Sequence, residues 1–92
     1  MFTVYFAEKA CQKIGDFYRV SRPIFDHLFK QVRLLETAGI PVDALLVSDL
    51  VDIKGQPVVG YLTGLGEFSL VISREGEDIL IVWEVHLRVA DD

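Results

Sequence analysis

The chain is poor in the residues that carry most recognisable chemistry: of its 92 residues one is cysteine, two are histidine and nine are lysine or arginine. A lone thiol, Cys11, cannot close an internal disulfide, which excludes a disulfide-stapled extracellular scaffold and fits a reducing cytoplasm. Two histidines, His27 and His86, stand far apart, and no cluster of His, Cys and carboxylates has metal-ligand spacing, so neither a metal nor another cofactor is expected. No apolar run approaches the roughly 20 residues of a membrane span. Glu8 and Lys9 fall too early for a signal peptide. The glycines at 60, 64 and 66 match neither a P-loop nor a dinucleotide fingerprint, because Glu67-Phe68 opens a strand where phosphate binding needs a helix N-terminus. Cations are scarce against 14 acids, and the net charge of −5 opposes binding to a phosphate backbone. No nucleic-acid binding is expected.

What the chain does contain is apolar residues, at 51%, with no repeat, low-complexity tract or linker. That composition belongs to a folded globular protein, and the length to a single domain, 1–92. Phe2, Val4 and Phe6 alternate within a β-branched and aromatic run, which predicts a strand. From Glu8 the period changes. Ala7, Ala10, Cys11, Ile14, Phe17 and Tyr18 recur at helical spacing and predict a helix over 8–18, with Cys11 as a buried, inert thiol. Ser21 reads as the N-cap of a second helix, with Pro23 in its first turn. Ile24, Phe25, Leu28, Phe29, Val32, Leu35 and Ala38 form its apolar stripe, and Gly39-Ile40-Pro41 stops it with glycine as a left-handed cap. His27 reads as a solvated residue of this helix.

Beyond Pro41 short Val-, Leu- and Ile-rich runs at Leu45–Ile53, Val58–Thr63, Phe68–Ser73 and Ile79–Leu87 are separated by hairpin-length turns. The expected order is β-α-α-β-β-β-β, an α+β domain with a helix pair on an antiparallel meander sheet. The expected core is Phe2, Val4, Phe6, Phe25, Leu28, Val32, Leu35, Phe68, Leu70, Ile72, Ile81 and Trp83. In the last run, placing Ile79, Ile81, Trp83, Val85 and Leu87 inward leaves Leu80, Val82, Glu84, His86 and Arg88 on the other face, neighbours about 6–7 Å apart. Glu84, His86 and Arg88 then form a polar row. A carboxylate beside an imidazole and a guanidinium suits acid–base chemistry or a partner contact, but a plain solvent face is the favoured reading of the row.

With that order, three segments carry a resemblance to a known family. Phe2–Lys9, FTVYFAEK, is similar to an opening strand running into a helix start; Gly66–Ile72, GEFSLVI, to a central strand; and Ile79–Arg88, ILIVWEVHLR, to a closing strand. Together they resemble the RelE/ParE toxin superfamily of bacterial toxin–antitoxin modules. The resemblance implies RelE/ParE-like topology, a cytoplasmic protein, and either cleavage of ribosome-bound messenger RNA or inhibition of DNA gyrase, with an antitoxin as protein partner. Ser69 stands where the ribonuclease members carry arginine, so cleavage through His86, Arg88, Arg74 and Lys54 is the least favoured outcome. The expectation is a small protein-binding domain without catalytic residues, contacting an antitoxin or target protein through Glu84, His86, Arg88 and Arg74, and able to pair with a second copy. The alternative is an acidic stand-alone interaction or inhibitor protein.

Charge is divided unevenly along the chain. Residues 8–38 hold six basic and four acidic side chains, whereas residues 39–92 hold three and ten. Asp43, Asp49, Asp52, Glu67, Glu75, Glu77, Asp78, Glu84, Asp91 and Asp92 are expected on or beside the sheet, where they serve solubility or attract a basic protein segment.

Overall fold

The structure, a computed structural model, describes residues 1–88; Asp91 and Asp92 lie outside the described residues. Strand β1 (Thr3–Phe6) leads into helix α1 (Glu8–Val20) and helix α2 (Arg22–Ala38), then β2 (Leu45–Val47), β3 (Gly60–Leu65), β4 (Phe68–Glu75) and β5 (Ile79–Leu87). The expected element order and α+β class are present. The sheet has the order β1-β5-β4-β3-β2. Strands β2 to β5 form the antiparallel meander, but β1 joins beside β5 in parallel, with Thr3 opposite Ile79 and Phe6 opposite Val82. The sheet is therefore mixed, a correction to the plain meander. The helix pair carries the chain from β1 to the opposite edge, and three reversals bring it back to β1 in the same direction.

Both helices follow their sequence signals. Ser21 accepts a hydrogen bond from the Ile24 N–H at 3.5 Å and Pro occupies the first turn of α2. Leu28, Val32 and Leu35, spaced at four and three residues, are buried against the sheet together with Ala10 and Ile14 of α1. Gly39 ends α2 at φ 76° and ψ −162°, which is the mirror-extended region and not the left-handed cap expected. Cys11 is exposed, contrary to expectation: Ala10 and Ile14 supply the inward face of α1, and Cys11 is turned away, its thiol directed at the Phe6 carbonyl oxygen 3.6 Å away. Gly15 lies mid-helix with no heavy atom of the described residues within 4 Å of where a Cβ would stand. Gly15→Ala is thus expected to stabilise the protein by about 0.5–1 kcal/mol through helix propensity alone, readable as a rise in the urea midpoint at unchanged slope.

Phe68, Leu70, Ile72, Leu80, Val82 and Val85 form the sheet side of the core, and Phe2, Val4, Phe6 and Phe25 pack around it. Two expected members are absent. The β4–β5 register pairs Val71 with Glu84 but Ile72 with Val82, so Trp83 is an extra residue, a β-bulge. The bulge exchanges the faces along β5. Before it Leu80 and Val82 point to the helices and Ile79, Ile81 and Trp83 point away; after it Val85 and Leu87 point to the helices and Glu84 and His86 point away. The strict alternation expected for this strand is corrected accordingly, and Ile81 and Trp83 leave the core.

The expected strand Leu45–Ile53 is also shortened. After Val47 the chain leaves the sheet and makes a hairpin closed by a bridge between Val51 and Pro57. Asp52 organises its tip, its Oδ1 accepting the Lys54 and Gln56 N–H groups at 2.9 Å each.

Candidate functional site: a groove on the face away from the helices

The hairpin folds over the sheet face that the helices leave uncovered. Gly60 permits this, because a Cβ there would lie 2.6 Å from Leu50 Cδ2, so the absent side chain is the seat on which the hairpin rests. Between the hairpin and the β1–β5 edge runs a groove of about 680 Å³. Leu50, Val51, Ile53, Tyr5, Ile81 and Trp83 give it an apolar lining. The Trp83 indole N–H donates to Ser73 Oγ at 2.7 Å, which fixes the ring on this face and satisfies a fully buried hydroxyl. Among the described residues the charged lining comprises Glu8, Asp49, Asp52 and Glu84 against Lys9.

Four residues were expected to form a contact surface, and the structure brings two of them together. Glu84 and His86 share the uncovered face, with His86 Nε2 3.7 Å from Glu84 Oε1. Arg88 is drawn off: its guanidinium lies over Gly64 and donates to the Gly66 carbonyl oxygen at the β3–β4 turn. Arg74 is on the helix side of the sheet, donating to the carbonyl oxygens of Gly76 (3.2 Å) and Glu77 (2.6 Å) and sitting 5.4 Å from the Phe2 ring centroid. His27 is half-buried, its ring 5.8 Å from that of Phe68, and so is less solvated than expected. Among the described residues no group of three or more His, Cys, Asp or Glu is placed to hold a metal.

Lys9 Nζ donates to Glu84 Oε1 at 2.7 Å, tying the start of α1 to β5 beside the groove. This hydrogen bond and the Lys9 charge, with a smaller contribution from His86, hold the Glu84 carboxyl below its ordinary range against the opposing effect of partial burial. A depressed carboxylate stabilises the fold fully above its unfolded value of about 4.3, and that stabilisation disappears as pH falls through the lower folded value. Lys9 is largely exposed, so the coupling measured in a Lys9→Met, Glu84→Gln double-mutant cycle is expected at about 0.2–1 kcal/mol at pH 7 and to shrink as the pH falls through the lowered Glu84 value.

Sequence reasoning missed the groove. Comparison with protein-family models, with curated proteins and with solved structures finds no match for the chain. No helix among the described residues is long and apolar enough to cross a membrane.

Proposed function

We propose that this chain is a small cytoplasmic protein-binding domain of the RelE/ParE toxin type, engaging its partner through the groove on the uncovered sheet face rather than by cleaving RNA. The observation that carries the reading is the groove itself: an apolar trough flanked by exposed Val51, Ile53 and Tyr5, on the face that neither α1 nor α2 covers. Contiguous exposed apolar surface on a small domain marks an interaction site. The placement of the cations supports contacts over cleavage. Phosphoryl transfer needs several cations converging on one phosphate, whereas Arg74, Arg88 and Lys54 are on the helix side, at the β3–β4 turn and at the hairpin tip.

The test is affinity capture from the source cells with the native chain and with Ile53→Asp, whose parent side chain is 95% exposed. Surface changes of this kind leave stability within about 0.5 kcal/mol. A stoichiometric protein held by the native chain and released by Ile53→Asp is the expected result. A protein held equally by both, or none held by either, overturns the reading.

A further inference from the structure

We infer that the groove takes a cationic segment of a partner protein, one in which basic side chains flank a bulky apolar anchor. The inference rests on the protein-binding reading above and adds the chemistry of the occupant. Its first support is shape. A volume of about 680 Å³ falls in the ordinary range for binding sites, but such sites usually enclose most of a small ligand. Here the walls stay wet, with Tyr5 56% and Ile53 95% exposed. A compact molecule would leave those walls uncovered, whereas a chain laid along the trough covers the hairpin and the β1 edge together.

The second support is charge on both banks. Glu8 stands on the helix side of the trough and Asp49 and Asp52 on the hairpin side. Lys9 is held by Glu84, and among the described ion pairs neither Glu8 nor Asp49 takes part, so the local field is negative and uncompensated. The third is the aromatic lining. Tyr5 and Trp83 present ring surface, which attracts lysine and arginine beside carboxylates and excludes nothing apolar. A cationic segment with an apolar centre answers all three features. An acidic segment would meet like charge on both sides, and a wholly polar one would leave the apolar lining wet.

The experiment uses the ¹⁵N-labelled protein and three ten-residue peptides. One has Phe-Leu at its centre flanked on each side by Lys and Arg; the second has the same centre flanked by Asp and Glu; the third has the basic flanks around Ser-Ser. The expected result is saturable amide shifts from the first peptide alone, confined to Tyr5, Asp49–Ile53, Ile81 and the Trp83 indole N–H. Its affinity is expected to fall on the order of tenfold between 50 and 500 mM salt, as screening shortens the reach of the carboxylates. Asp49→Lys, at an exposed position on the hairpin bank, should lower the affinity severalfold with the thermal midpoint unchanged. Equal binding of the acidic peptide, equal binding of the Ser-Ser peptide, shifts elsewhere, or no binding by any peptide overturns the inference. So do groove resonances that move with protein concentration alone, which would make a second copy the occupant. In each of these cases the protein-binding reading is judged separately by whether Ile53→Asp releases the captured partner.

Discussion

Phe68→Ala is expected to cost about 3–5 kcal/mol, the range for removing a fully buried aromatic ring. Phe68 opens β4 with no exposed surface, meets the Phe17 ring edge-on at 5.9 Å and the His27 ring at 5.8 Å, and thereby links both helices to the sheet. At roughly 0.05–0.15 kcal/mol per residue, a domain of this length has a total stability on the order of 5–14 kcal/mol. The variant therefore loses a large share of it, and its thermal midpoint should fall by roughly 12–40 °C. Trp83→Ala is expected to cost less, because Trp83 lies beyond the sheet from this core, is partly exposed, and contributes its ring to the groove and its N–H to Ser73. Paired calorimetric scans decide the order. A larger loss for Trp83 would show that its ring packing and the Ser73 hydroxyl it satisfies outweigh the Phe68 ring in the core.

That bulge also explains what was legible in the sequence and what was not. Helical periodicity, the Ser21 cap and the Gly39 stop located α1 and α2, because each is a local pattern that tertiary packing had no cause to override. Strand β5 was found, yet its faces were not, since 79–83 is apolar at every position and strict alternation admits two parities. The polar residues at 84, 86 and 88 favour odd-numbered residues inward, and that holds only after Trp83; before it the inward set is Leu80 and Val82. An inserted residue shifts the phase of the alternation, and an all-apolar run conceals the shift. The parallel pairing of β1 was hidden for a related reason: pairing two strands separated by the whole chain depends on where the intervening elements return it.

The groove was unreadable for a different cause. Its parts come from β1, the start of α1, the hairpin and β5, and no local spacing joins them. Two residues hint at it. Asp52 two residues before Lys54-Gly55 is a turn former, which argues against a strand running through to Ile53. Gly60 heads a strand in which a side chain would ordinarily pack, a sign of close backbone approach. The acids read from composition as one broad negative surface divide in the structure: Asp49, Asp52 and Glu84 line the groove with Glu8, while Glu75, Glu77 and Asp78 lie at the β4–β5 turn. Arg74 joins that turn on the helix side of the sheet, apart from Glu84 and His86.

Gly39→Ala should be the costliest change at a glycine, at about 2–4 kcal/mol. Two effects combine there. At φ 76° and ψ −162° the backbone occupies a region that is essentially glycine-only, worth about 1–3 kcal/mol when another residue is forced into it. In addition a Cβ would stand 2.8 Å from Phe2 Cε2, so the ring must move. Phe2 has little freedom to yield, because its N–H donates to the Glu36 carbonyl oxygen at 2.7 Å and the next residue already pairs with β5. The end of α2 and the start of β1 are thereby locked together, which brings the edge of the sheet back beneath the helix pair. Gly76→Ala is the reference without a steric contact: it too has positive φ, at 64°, but no heavy atom of the described residues lies within 4 Å of the Cβ position, so it is expected to cost only about 1–2 kcal/mol. Urea unfolding of both variants provides the comparison. If Gly39→Ala costs no more than Gly76→Ala, Phe2 moves aside freely and the mirror-extended backbone carries no extra strain; if it costs distinctly more, the glycine-only backbone and the Phe2 contact together fix the end of α2 against the first strand.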